Sequence, residues 1–200
     1  MDSGLGTYDA VVLAGGTARR FGGATDKVAL EVEGTALLDR VLAGCAGART
    51  TVVVGPRRPT RRPVSWVREQ PPGGGPVAAV AAALPSVTAD RILLLAADLP
   101  FFDPATAVLL LRELDGELDA AVLVDADGRD QPLAAAYRTA PLLAALAALG
   151  DPAGLPLRRL VGGLTTRRIA DADGAALDCD TWEDLARARA HARERAPREK

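Results

Sequence analysis

Short apolar runs alternate along this chain with longer stretches whose apolar residues recur at helical spacing, and glycine or proline clusters punctuate them. Residues 8–14 (YDAVVLA) form an apolar run that stops at Gly15-Gly16, as a buried strand does on leaving a sheet. Residues 35–46 repeat apolar positions every three or four places and predict a helix that ends near Gly47. Further strands are predicted over 50–54, 64–67, 91–97 and 119–125. Asp127-Gly128 then signals a turn into a strand over 131–137, and another strand is predicted over 165–170. Helices are predicted over 77–84, 104–114, 140–149 and 155–161, with a last one from about Thr181. Asp103 suits the N-cap of the second of these, because Pro104 takes the first helical position. Strands that alternate with helices imply an α/β protein with a mainly parallel central sheet covered on both faces.

Composition narrows this picture by exclusion. Of 200 residues, 48% are hydrophobic, enough for a packed core and incompatible with a disordered chain. Residues 1–190 are expected to form one domain and 191–200 a charged tail that frays, with His191, the only histidine, solvated in it. The net charge of −2 points to neither nucleic acid nor membrane. No apolar run approaches the roughly 18 residues of a membrane span, and MDSGLGTYD does not read as a signal peptide. Two cysteines, Cys45 and Cys179, make no disulfide framework, so a cytoplasmic location is expected. Five arginines between Arg57 and Arg68 could be a basic patch, but no aromatic interleaving accompanies them, and a solvated loop is the better reading.

The sheet architecture directs attention to strand ends, because parallel sheets bind ligands at their carboxyl edge. The first strand runs into Leu13-Ala14-Gly15-Gly16, then Arg19, Arg20, Gly22-Gly23 and Asp26-Lys27. Glycines there let backbone N–H groups face a phosphate, and Arg20 and Lys27 add positive charge; the alternative is a flexible loop with surface cations. Of 24 basic residues only Lys27 and Lys200 are lysine, which singles out Lys27 as a position where the wide guanidinium does not serve. Asp98 follows the most apolar strand and is either a Mg²⁺ ligand or a turn cap. Asp178 and Asp180, at alternate positions, either face one ligand or cap the final helix.

Taken together, LAGGTARRFGG followed by Asp26-Lys27 resembles the L-A-G-G-x-x-x-R-x-G…D-K signature of the molybdenum cofactor guanylyltransferases, within the wider nucleotidyltransferase group. The similarity continues through Glu69 with Gly74-Gly75-Pro76, Ala97-Asp98-Leu99-Pro100, Gly128 to Leu133 with Tyr137-Arg138, and Asp180 to Leu185. Gly15 stands where cytidylyl and sugar-nucleotide relatives usually carry Ala, which favours the guanylyl branch. The resemblance implies a three-layer, Rossmann-like nucleotidyltransferase fold. It also implies transfer of GMP from GTP to the terminal phosphate of the molybdopterin form of the molybdenum cofactor, with release of pyrophosphate. By position, Leu13, Ala14, Gly15 and Gly16 would contact the nucleotide, Arg20 and Lys27 its phosphates, and Asp98 the Mg²⁺. Glu69 would accept the guanine donors, and Gln131, Pro132, Tyr137 and Asp180 would face the acceptor, with Asp180 a further candidate metal ligand. Transient contact with cofactor-delivering proteins or molybdoenzymes is also implied. Two features depart from the pattern: Asp180 and Asp178 stand where the family often has Asn, in a chain with no Asn at all, and Ala24-Thr25 lengthens the approach to Asp26-Lys27. A relative that uses CTP or a sugar-phosphate acceptor, and a non-catalytic nucleotide-binding protein, are the competing readings.

Overall fold

A computed structural model describes residues 6–16 and 26–195. Strands β1 (Asp9–Leu13), β4 (Thr51–Val54), β5 (Ser65–Val67), β6 (Arg91–Ala96), β7 (Ala120–Val124), β8 (Asp130–Arg138) and β9 (Thr166–Ala170) join one sheet in the order β5-β4-β1-β6-β8-β7-β9. Only β8 runs against its neighbours, pairing antiparallel with both β6 and β7. The other pairings, β1 with β4 and β6, β4 with β5, and β7 with β9, are all parallel. The mainly parallel sheet with flanking helices therefore stands as the hydrophobic pattern predicts.

Each strand buries alternate residues in two cores. Ala10, Val12, Leu93 and Leu95 pack against α1 (Leu37–Gly44) and α3 (Pro104–Glu113) through Leu38, Val41, Leu110 and Leu111. Val11, Ile92 and Leu94 pack on the other face against α2 (Gly75–Ala83), α4 (Thr139–Leu149) and α5 (Leu157–Val161), through Val77, Val80, Leu142 and Leu160. Asp103 caps α3 as expected, its Oδ1 accepting from the Thr106 N–H at 2.7 Å. Gly128, at φ +79°, makes the turn between β7 and β8. No helix of the described residues is long and apolar enough to cross a membrane.

Two expectations need correcting. The predicted helix over 35–46 begins only at Leu37, because Thr35–Ala36 (β3) pairs with Glu31–Val32 (β2) as a small hairpin. Glu33 and Gly34 both take positive φ in its turn, the geometry that two-residue hairpins demand. The charged segment expected to fray from residue 191 instead continues α6 (Trp182–Arg195) as far as Arg195. Leu185, Ala188 and Ala192 make an apolar stripe on this otherwise charged helix and bury it against Val32, Leu37 and Phe101. His191 is accordingly half-buried: its ring stands edge-on to Phe101, with centroids 4.8 Å apart.

Candidate functional site

β1 lies where the chain reverses its direction of sheet growth, with β4 and β5 to one side and β6 to the other. The crevice beyond its carboxyl end is the switch-point position at which open α/β sheets bind ligands. Backbone bonds hold this edge in place: Ala14 N–H donates to Val54 O at 2.8 Å, and Ala97 N–H to Leu13 O at 3.1 Å. Gly55, at φ +146°, follows β4 so closely that a Cβ there would stand 2.8 Å from the Ala14 carbonyl carbon. Only glycine allows that approach.

A cavity of about 470 Å³ opens here, and it brings together Leu13, Ala14, Gly15, Gly16, Lys27, Glu69 and Asp98. These residues come from four separate stretches of sequence. The volume falls in the usual range for small-molecule and cofactor sites. Arg20 lies outside the described residues.

At one end of the cavity stands Glu69, just past β5 and 6% exposed. Its Oε1 accepts the Gly73 N–H at 3.0 Å, while Oε2 is buried with no hydrogen-bond partner among the described residues. A buried carboxylate oxygen without a donor is costly, so this atom calls for a ligand N–H. Gly15 faces it directly, since a Cβ on that residue would come within 3.5 Å of Glu69 Oε1. A larger side chain at position 15 would fill the space between loop and carboxylate.

At the other end, Lys27 sits on a short 3₁₀ turn, Lys27–Ala29, with its ammonium against both Asp98 Oδ2 and Asp180 Oδ1. Burial alone would lower the Lys27 pKa, but the Asp98 charge, followed by Asp180, outweighs it and holds the amine above its ordinary value. Asp98 is supplied by the turn after β6, and its carbonyl accepts the Cys179 N–H at 3.2 Å, which ties 178–180 to the cleft. Cys179 is buried, its thiol pushed up to about 12 by that burial and then by the neighbouring carboxylates. Asp178 is exposed, yet partial desolvation, then the charges of Asp98 and Asp180, raises its carboxyl above the usual range.

Thr181 and Asp184 cap the final helix in a reciprocal pair: Asp184 Oδ2 accepts from Thr181 N–H at 2.8 Å, and Thr181 Oγ1 accepts from Asp184 N–H at 3.1 Å. Asp184 Oδ2 also accepts the Asp180 N–H at 3.1 Å, so the cap fixes the Asp180 backbone and leaves its carboxylate for the cleft. The T-x-x-D spacing was a readable signal for this box. Asp98 and Asp180 together offer hard oxygen ligands around one cationic centre, the donor set Mg²⁺ takes when substrate phosphates and water complete its shell. Among the described residues no group of three or more His, Cys, Asp or Glu converges to hold an ion alone.

The acceptor-side expectations fare unevenly. Gln131 lies at the cleft edge of the sheet, but its amide donates to Asp125 Oδ2 at 2.7 Å and braces the β7–β8 turn. Pro132 contributes its carbonyl to the Tyr137 hydroxyl at 2.9 Å, and the neighbouring Leu133 reaches the cavity instead. Tyr137 is a correction: it is wholly buried in the core under α4, where burial pushes its hydroxyl up, and it does not line the cavity. β8 runs antiparallel to β6, so Tyr137 pairs with Ile92 near the start of that strand, whereas Asp98 lies beyond its end. Arg58, in a stretch whose composition predicts a solvated loop, also lines the cavity.

Comparison with known proteins adds a family. The model of the MobA-like NTP transferase domain matches residues 10–168. A probable molybdenum cofactor guanylyltransferase of Synechococcus elongatus is 42% identical over 101 residues, a match covering 46% of this chain and 51% of that protein, about half its length. One of Natronomonas pharaonis is 30% identical over 202 residues, covering 92% of this chain and 98% of its own. Among solved structures, molybdopterin-guanine dinucleotide biosynthesis protein A from Archaeoglobus fulgidus superposes with a TM-score of 0.70 at 21% identity, covering 93% of this chain and 99% of that one. A nucleotidyl transferase from Methanothermobacter reaches 0.75 at 21% identity, covering 94% and 99%. At such identities the superpositions speak for the fold.

Proposed function

Because the chain belongs to the MobA-like NTP transferase domain family, we propose that it transfers GMP from GTP to the terminal phosphate of the molybdopterin form of the molybdenum cofactor. The observation that carries the choice of nucleotide is the unpartnered Glu69 Oε2, buried beside Gly15. Guanine presents N1–H and N2–H₂ on one edge, two donors that a single carboxylate accepts; cytosine and adenine offer no such pair. The names borne by the Synechococcus and Natronomonas relatives support the acceptor.

In this reading an oxygen of the acceptor phosphate attacks the α-phosphorus of GTP. The bond from that phosphorus to the bridging oxygen breaks in line, and pyrophosphate leaves with the electron pair. The acceptor phosphate is already ionised at neutral pH, so no general base is required. Backbone N–H groups of the Gly15-Gly16 turn face the phosphates, and Lys27, held cationic by its surroundings, neutralises charge that develops on the leaving group. Asp98 and Asp180 would hold Mg²⁺, which when bound supplies further charge neutralisation and orients the triphosphate.

Calorimetric titration with GTP, CTP and ATP in Mg²⁺ tests the nucleotide. GTP is expected to bind tightest, and Glu69→Gln to weaken it by roughly 10–100-fold, the worth of hydrogen bonds to a charged acceptor. Equal affinity for CTP, or a Glu69→Gln variant that binds GTP normally, would overturn the guanine reading. Lys27→Arg keeps the charge but replaces a compact ammonium between two carboxylates with a planar fork. Its turnover, followed as pyrophosphate release, is expected to drop roughly tenfold or more through misplacement; wild-type turnover would mean that charge alone matters.

A further inference from the structure

Arg58 reaches the cleft from the loop after β4 and is only 18% exposed at its side chain. Its guanidinium grips Asp26 at two points, Nε to Oδ2 at 2.6 Å and Nη2 to Oδ1 at 2.9 Å. The remaining nitrogen, Nη1, donates to Ala14 O at 3.3 Å and to Pro56 O at 2.8 Å. Ala14 immediately precedes the glycine-rich segment 15–25, and Asp26 immediately follows it. One side chain thus joins the end of β1 to the residue that precedes Lys27.

The Asp26 carboxylate has no other role in view. It stands at the N-cap of the Lys27–Ala29 turn yet makes no capping bond to it. Its two oxygens are taken up by Arg58, and Lys27 is the next residue. We propose that Arg58 is a positioning residue for phosphate binding: through Asp26 and Ala14 it ties the start of the Lys27 turn to the end of β1 and sets Lys27 toward the nucleotide phosphates. The inference rests on the nucleotide reading of this cleft. A guanidinium suits the task because it engages a carboxylate in a fixed, two-point geometry and still has a donor for a carbonyl; an ammonium does not.

An ordinary surface ion pair would contribute little, so the test must separate positioning from stability. In Arg58→Gln, affinity for GTP is expected to fall about tenfold, in line with loss of charge-assisted contacts. Affinity for guanosine, which lacks phosphates, should stay at the wild-type level, and thermal stability should change little. KM for GTP should rise more than kcat falls. Asp26→Asn should reproduce the defect, the double variant should be no worse than either single one, and Arg58→Lys should recover part of the affinity. Amide exchange at Ala29 and Leu30, whose N–H groups close the Lys27 turn on Asp26 O and Lys27 O, should quicken in Arg58→Gln. Unchanged GTP affinity in Arg58→Gln, or equal losses for GTP and guanosine, overturns this inference while the nucleotide reading stands. Wild-type protein that binds no nucleotide overturns that reading and this inference with it.

Discussion

Asp98→Ala is expected to lower pyrophosphate release by at least about 10²–10³-fold, the cost of removing a preorganised charge-stabilising group. The Asp98 carboxylate stands against Lys27 at the heart of the cleft. Its backbone carbonyl, not its side chain, holds the Cys179 N–H, so truncation leaves segment 178–180 anchored. Lys27 keeps Asp180 as a partner in the variant. The defect should therefore fall on turnover with the fold retained, and thermal melting beside the pyrophosphate assay separates the two. Turnover near the wild-type rate in a folded Asp98→Ala protein would sink the proposed mechanism.

At the opposite edge of the sheet, Asp9→Ala is expected to cost about 3–5 kcal/mol of stability, as the loss of a buried acceptor shared by three backbone N–H groups does. Asp9 is fully buried at the start of β1. Its Oδ2 accepts from Thr88 N–H at 2.8 Å, Ala89 N–H at 2.9 Å and Arg49 Nη2 at 2.9 Å. Its Oδ1 accepts from Thr50 N–H and Arg49 Nε, both at 3.2 Å. The alanine variant leaves three backbone donors without their acceptor and takes from Arg49 its carboxylate partner, while the cleft is untouched. In a protein of this size the loss corresponds to a melting point lower by roughly 6–20 °C, and a shift under about 2 °C would refute the assignment.

The same carboxylate gives the stability a pH dependence. Burial alone would raise the Asp9 pKa, but hydrogen bonds from Arg49, Thr88 and Ala89 outweigh it and hold the folded-state value below 3.8. A depressed pKa means that the contribution is complete above the ordinary value and drains away as the pH falls below it and through the folded-state value. The melting point of wild-type protein should thus decline more steeply on acidification below about pH 4 than that of Asp9→Ala.

Hydrophobic period and turn chemistry act over a few residues, and what depends on them was legible in the chain. The apolar runs that became β1, β4 and β6, the Asp103 cap and the turn at Gly128 all follow from local preferences. So does the appearance of Gly15, Gly16, Lys27 and Asp98 at strand ends, because a buried strand must place its polar successors at the rim. Side-chain direction over long separations is a different matter. Tyr137 shares a strand with Gln131, yet the pairing of β8 sets it opposite Ala120 where Gln131 stands opposite Leu123, about 10 Å further along the sheet and in the core. Asp180 meets Lys27 across 153 positions of sequence, only because the Thr181–Asp184 cap and the Cys179 bond to Asp98 fold it back over the cleft. Arg58 lies in an arginine-rich stretch whose composition suggested solvent, and nothing local distinguishes it from Arg57. Its positioning role follows from the parallel neighbourhood of β1 and β4, which sets the loop after β4 beside Ala14 and Asp26. Periodicity and local chemistry settle where strands stop and which residues follow them; the order and direction of those strands in the sheet decide which of these residues meet.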